Sequence, residues 1–441
     1  MQVNESNYPP PIGQTKAVSE TYRRFVLFMM LLVAALNFVD RQLMAILLNP
    51  IREEFGFNDT ELGFLSGFAF AIAFAITGLP LARLADTGNR RNLIAGVVAF
   101  WSAMTALCGA ATGYVSLLLA RMGVGAGEAG SSPAIQSMIG DYYPPKKRAS
   151  AISTQMIGVY GGILLGFLFG GWLSETFGWR MAFLVMGLPG IAFALLFWLT
   201  VKEPARGQSE NLVVQPTPPT MRETMRHLWR SPACRLIPLA AAFHTFASQG
   251  SMSWAPSFFT RTHHMTQTEV GAWLALCAGL AGGLGCYFGG IVTERIANRT
   301  NDERWYLWVP AICLAATIPA QFVIYLSPTP VPALIVSALV WFLSNTWLGP
   351  VLATLQGLAG ARRRAMAVAI VLFANNLVGM GLGAQFVGLM SDLLRDRHGE
   401  DSLRYALLIG VCIASALSAI AFFVATRTLR EDLHRSRAEA A

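Results

Sequence analysis

The sequence predicts an all-α membrane protein: twelve transmembrane helices in two six-helix bundles (25–201 and 236–427), with both termini in the cytoplasm. Three observations predict it. Of 441 residues, 54% are hydrophobic and only 13% are charged, about half the charged share of a soluble domain. Apolar stretches long enough to cross ~30 Å of hydrocarbon as helices recur along the chain. A single long polar interval, 202–235, divides them into two equal sets.

Residues 1–24 carry "MQVNESNYPPPIGQTKAVSE", polar and proline-rich, which reads as a disordered tail and not as a cleaved signal peptide. Helices follow at 25–48, 60–85, 92–112, 115–142, 149–173 and 180–201. In the interval 202–235, "VKEPARGQSENLVVQPTPP" is a linker and "TMRETMRHLWRSP" a short amphipathic helix on the cytoplasmic surface. The second set lies at 236–261, 268–297, 306–326, 331–358, 363–392 and 403–427, and 428–441 is a cytoplasmic tail. Segments assigned to the cytoplasm on this plan hold 25 of the 33 Lys and Arg, as the positive-inside bias requires. The net charge of +8 then follows from topology, and no nucleic-acid partner is expected. The six scattered cysteines have no metal-like spacing and read as small buried hydrophobes.

The halves repeat each other. "PAIQSMIGDYYPPKKRASAIS" from Pro133 matches "PVLATLQGLAGARRRAMAVAI" from Pro350, and "GWLSE" ending at Glu175 matches "GLMSD" ending at Asp392. Repeats on this scale are the trace of a secondary transporter whose site lies between two bundles at the membrane midplane. Helix 5 adds a small-residue face, "IGVYGGILLGFLFGG", suited to close helix packing.

Charges inside these helices are candidate functional residues, because each is costly in hydrocarbon unless paired or hydrated. Away from helix ends the chain has Asp40 and Arg41 in helix 1, Arg121 and Glu128 in helix 4, and His244 in helix 7. Asp40 and Arg121 fall at nearly the same depth at ~1.5 Å per residue. Glu128 follows Arg121 by two turns and points the same way. The three form a candidate acid–base–acid cluster for proton coupling. Arg41 points about 100° away from Asp40 and has three roles open to it: snorkelling outward, pairing with Glu128, or meeting the substrate. Asn37, Gln136, Tyr160, His244, Gln249, Trp254, Asn345 and Asn375 are further candidates to line the cavity. No nucleophile–base or metal spacing suggests an enzyme.

The whole chain resembles the major facilitator superfamily. Its loop signature Gly-x-Leu-Ala-Asp-Arg-x-Gly-Arg-Arg reads here "ARLADTGNRR", retaining Asp86, Arg90 and Arg91. Asp86 is expected at the positive N-terminus of helix 11. Arg90 or Arg91 is expected to pair with Asp141, as part of a cytoplasmic gate holding the bundles together. More narrowly, "LNFVDRQLMAILLNPI" and "ARMGVGAGEAGSSPAI" are similar to the helix 1 and helix 4 signatures of the Spinster family, and the match looks close to its bacterial homologues. That resemblance implies a proton-coupled carrier of amphipathic lipids, lysophospholipid or sphingolipid-like, in the inner membrane. It assigns coupling to Asp40, Glu128 and Arg121, and a phosphate head to Arg41 and Arg121. The proton is the coupling ion, no cofactor is expected, and the carrier is expected to be a monomer. An organic-anion (hexuronate or aromatic acid):proton symporter and a multidrug exporter are the competing readings.

Overall fold

The computed structural model describes residues 19–206, 223, 229, 231–359, 367, 371 and 375–440. All regular structure among them is helical. α1 is Glu20–Phe55, α2 Asp59–Thr87 and α3 Arg90–Gly109. α4 runs as Tyr114–Glu128 and, after a one-turn break, Ser131–Tyr142. α5 (145–177) and α6 (179–200) are the two parts of Pro145–Thr200, divided at Gly178, whose φ of 82° only glycine adopts readily. In the second half α7 is Pro232–His263, α8 Gln267–Thr300, α9 Trp305–Leu326 and α10 Pro330–Ala359. α11 is described over Asn375–His398, and α12 is Ser402–Ala440. The end at which α1 begins is here called proximal, the opposite end distal.

Eight helical stretches among the described residues are long and apolar enough to cross a membrane, and the protein is a multi-pass membrane protein. Among the described residues the element order follows the sequence reading, but several bounds move: α1 begins at Glu20, inside the stretch 1–24 expected to be a disordered tail, and runs on to Phe55, and α7 already begins at Pro232, inside the expected linker. α12 does not stop near residue 427 but continues to Ala440. There Asp432 accepts hydrogen bonds from the Ser231 hydroxyl and the Ala233 N–H, docking the segment on the start of α7. The amphipathic helix expected before α7 lies largely outside the described residues, although Glu223 and Trp229 are helical.

The small-residue face of α5 packs along α1. A Cβ at Gly162 would stand 2.3 Å from the Ala35 carbonyl oxygen, so the helices approach backbone to backbone. Between the halves, α5 meets α8 and α2 meets α11. Three of these four helices contain a wide π turn: Phe64–Phe68 in α2, Ala275–Ala281 in α8 and Asn375–Gly381 in α11. Such turns mark functional sites in helices. Among the described residues, the hydrogen bonds joining the halves lie from mid-height to the distal end.

Candidate functional site at the centre of the first half

α4 breaks just after Glu128: the Ser131 hydroxyl donates to the Glu128 carbonyl, and the Gly130 N–H reaches back only to Gly127. Glu128 is therefore displayed at the end of a helical segment. It can lie deep because Gly125, one turn earlier, lets α2 approach; a Cβ there would meet the Phe70 carbonyl oxygen at 2.6 Å. Glu128 is 1% exposed, Asp40 3% and Arg121 2%.

Arg41, not Arg121, holds Glu128. Its Nε donates to Glu128 Oε2 at 2.8 Å. The guanidinium lies 5.0 Å from the ring centres of Phe38 and Phe70 and 5.8 Å from Phe74, positions in which ring faces attract a cation. Its Nη1 faces Met380 Sδ of the second half at 3.9 Å. With its side chain 16% exposed, Arg41 is the charged member of the site nearest the space between the halves. Of its three open roles, pairing with Glu128 is the one its contacts show in this state.

The expected pairing of Arg121 with the two acids needs correction. Asp40, Arg121 and Glu128 are brought together, but among the described residues Arg121 forms no ion pair within 4 Å of either carboxylate. Its Nε and Nη1 are buried without a hydrogen-bond partner, and so is Glu128 Oε1. Arg121 lies over the Phe70 ring, 5.5 Å from its centre. Asp40 faces Trp101 and Thr105 of α3, whose indole N–H and hydroxyl are likewise buried without partners. Sequence reasoning missed these two, because nothing in α3 marks which of its turns faces Asp40. Asn37 neighbours Glu128 and joins the cluster.

The remaining candidates divide by location. Tyr160 of α5 donates to Asn345 of α10 at 3.3 Å, one of the few bonds across the middle of the molecule. Asn375 is buried, its Oδ1 unpartnered. Gln136 and Gln249 are half-buried. His244 points into the interior of the second half, 4.9 Å from the Trp347 ring and beside Gln321 and Ser415. Trp254 is fully buried, and its N–H donates to the Ala384 carbonyl of α11. It braces two helices and presents no face to a cavity.

The expected gate is also rearranged. Arg90 binds Asp141, donates to Glu203 Oε1 at 2.7 Å and to the Pro204 carbonyl at 3.0 Å. It ties α3, α4 and the start of the linker within one half, and does not join the bundles. Arg91 instead donates to its neighbour Asn92 and lies over Trp198. Asp86 is exposed, and the helix 11 N-terminus expected opposite it lies outside the described residues.

What does join the halves is a distal latch that the sequence reading did not find. Asp59, 3% exposed at the start of α2, receives two bonds from Arg261 Nη1 of α7 (2.8 and 3.0 Å) and one from the Ser391 hydroxyl of α11 (2.7 Å). Arg261 Nε also donates to Asn49 of α1 at 2.8 Å. Beside it, Asp392 of α11 caps α2, accepting from the Thr60 N–H (2.7 Å) and hydroxyl (2.6 Å). Glu175 of α5 caps α8 in the same way, accepting from the Thr268 N–H at 2.8 Å. A signal existed: "NDTELG" (58–63) and "TQTEVG" (266–271) are the same capping box in the two halves, each completed by the acid of the matched "GLMSD" and "GWLSE".

The Major Facilitator Superfamily profile matches residues 30–384. An MFS-type efflux pump of Mycolicibacterium smegmatis is 32% identical over 91% of this chain and 92% of its own. The sphingosine-1-phosphate transporter SPNS2 of Danio rerio is 26% identical over 89% of this chain and 81% of its own. The crystal structure of a bacterial homologue of the human lysosomal transporter Spinster, inward-facing and unoccupied, is 30% identical and covers 94% of this chain and 99% of its own, with a TM-score of 0.83. The chain belongs to the Major Facilitator Superfamily, among the relatives of Spinster.

Proposed function

We propose that this transporter couples proton movement to the passage of an amphipathic lipid with an anionic head, by alternating access across the bacterial inner membrane. In this reading twelve helices span the bilayer, both termini are cytoplasmic, the distal end faces outward, and the described state is closed outside. The observation that carries it is the Arg41–Glu128 pair, buried on the acid side and open toward the second half on the guanidinium side. Glu128 Oε2 is occupied by Arg41, whereas Oε1 has no partner and is the oxygen free to receive a proton. Protonation removes the charge that holds Arg41, while arginine itself stays charged. The freed guanidinium can then take a phosphate head through two parallel bonds. Asp40, close to both Arg121 and Glu128, is the second carboxylate of the relay, so that one proton and one anionic head exchange over a fixed pair of cations. The three phenyl rings around Arg41, and the absence of any further charged candidate among Tyr160, Asn345 and Asn375, suit an amphipathic lipid better than a small dianion. A relative named as a sphingosine-1-phosphate transporter supports a lipid with an anionic head as the substrate class.

The test is substrate-driven proton movement in liposomes holding the purified protein, with lysophospholipid or glucuronate, for wild type and Asp40→Asn. The expected result is a lysophospholipid-dependent signal lost in the variant. A signal with glucuronate alone would reassign the protein to the organic-anion symporters, and undiminished coupling in Asp40→Asn would remove Asp40 from the relay.

A further inference from the structure

Above the latch, on the side away from the central site, the distal end holds a cavity of about 230 Å³ between α1, α7 and α11. Its walls carry Arg52, Arg261, His264 and Arg395, together with Asp59, Glu53 and Glu400. Three arginines share this cavity with three carboxylates, and what singles out the cations is how many of their N–H groups lack an acceptor. Asp59 lies under the floor and is used by Arg261 Nη1 and Ser391. Glu53 accepts from the Asn49 amide at 2.7 Å. Glu400 stands on the exposed turn at the rim. On the cationic side, Arg261 Nη2 is buried with no hydrogen-bond partner. Arg52 reaches Asp59 only at a long 3.7 Å, and Arg395 has no ion pair among the described residues. A buried guanidinium N–H with no acceptor is costly, and two further arginines beside it make an oxyanion the fitting acceptor.

We propose that this cavity binds a phosphate-type oxyanion, either free phosphate or the phosphomonoester head of a lipid, between Arg52, Arg261 and Arg395. The volume admits one such group with a few waters. Arg52 belongs to the first half, Arg261 and Arg395 to the second, so the bound anion bridges the halves and favours the distally closed state. This is a site distinct from the one at Arg41 and Glu128, and it is separated from it by the latch. Its occupancy does not depend on what the carrier moves.

The experiment is thermal unfolding of the purified protein in phosphatidylcholine nanodiscs, titrated with inorganic phosphate at constant ionic strength. Wild type is compared with Arg395→Gln and with Arg299→Gln, an exposed arginine at the far end of α8. Arg395 is exposed, so its variant is expected to fold; an unchanged unfolding temperature without phosphate checks this. The expected result is a saturable rise in unfolding temperature with phosphate, with at least tenfold weaker apparent affinity in Arg395→Gln and no change in Arg299→Gln. If nanodiscs containing phosphatidate raise the temperature in an Arg395-dependent way and abolish the response to added phosphate, the anion comes from the lipid. A response equal in wild type and Arg395→Gln, or none with either phosphate source, overturns the proposal.

Discussion

Replacing Asp59 by asparagine tests whether the distal latch sets the conformational balance. The carboxylate is buried and neutralises Arg261, which is itself only 11% exposed on its side chain. Removing one partner of a buried pair costs about 3–5 kcal/mol, because the other charge is left uncompensated. Asparagine keeps one oxygen for Arg261, so the lower figure, about 3 kcal/mol, applies. The loss falls almost wholly on the distally closed state: Asp59 belongs to the first half, Arg261 and Ser391 to the second, and opening separates and hydrates them in either variant. At about 1.4 kcal/mol per tenfold, the closed-to-open ratio falls roughly hundredfold. The assay is pulsed electron resonance between spin labels at Thr112→Cys and Thr329→Cys, exposed positions in distal loops of opposite halves, on a cysteine-free background. Wild type should give one short distance, and Asp59→Asn a large or dominant longer one. An unchanged distribution in a folded variant would refute the reasoning and leave the latch as packing without control over state.

Glu128→Gln keeps the shape of the central site but removes the charge opposite Arg41; substrate-driven proton uptake in liposomes should fall at least tenfold, and uptake within twofold of wild type would dismiss the relay. Gly162→Ala puts a Cβ against the Ala35 carbonyl; the overpacking should cost about 1–3 kcal/mol, read as a lower unfolding temperature in detergent, and an unchanged temperature would contradict the backbone contact. In the loop between α8 and α9, bonds from Arg304, assisted by Arg430, hold the Asp302 carboxyl down at about 2. A depressed folded pKa makes its stabilisation complete above the ordinary carboxylate range and lost as pH falls through about 2. Asp302→Asn should therefore be less stable than wild type at pH 5–7, by under about 1 kcal/mol given the exposed arginines, with the gap closing toward pH 2; a gap independent of pH would rule out the charge as its source.

The central residues were legible because hydrocarbon leaves so few reasons for charge. Asp40, Arg41, Arg121 and Glu128 stand out in any reading of α1 and α4, and helical spacing places three of them together. Their pairing was not legible. Arg41 leaves α1 about 100° away from Asp40, but its long side chain swings back to Glu128, and the break after Glu128 sets where that carboxylate lies. The latch escaped for a different reason. Asp59 and Arg261 are 202 residues apart, and charges near helix ends are read first as markers of topology. The duplicated capping boxes identify two helix starts, yet only the packing of α2 on α11 and α5 on α8 reveals that each is completed by an acid from the other half. His244 stands out in the same way as a lone polar residue in an apolar helix, but only the packed neighbours show that it lines a small internal cavity of the second half with Gln321 and Ser415.

α1 connects the two charged regions mechanically. Arg41 and Asn49 are eight residues apart, about 12 Å along one helix, so the residue that senses Glu128 and the residue that receives Arg261 move together if α1 moves as a rod. Pro50 stands directly after Asn49; it removes one N–H from the helical ladder and puts the weakest point of α1 at the level of the latch. Release of Arg41 frees α1 from α4 on one side and from Met380 on the other, and the shift is delivered to the Asn49–Arg261 bond. The reverse path is equally open: breaking the latch lets α1 and α7 part and draws Met380 away from Arg41. Because coupling free energies are reciprocal, a proton at Glu128 that favours distal opening must itself bind more readily when the latch is broken. In Asp59→Asn the pH at which coupled transport is half-maximal should therefore move upward relative to wild type. An unshifted midpoint, in a variant whose spin-label distances show the distal end open, would mean that the latch and the central pair act independently.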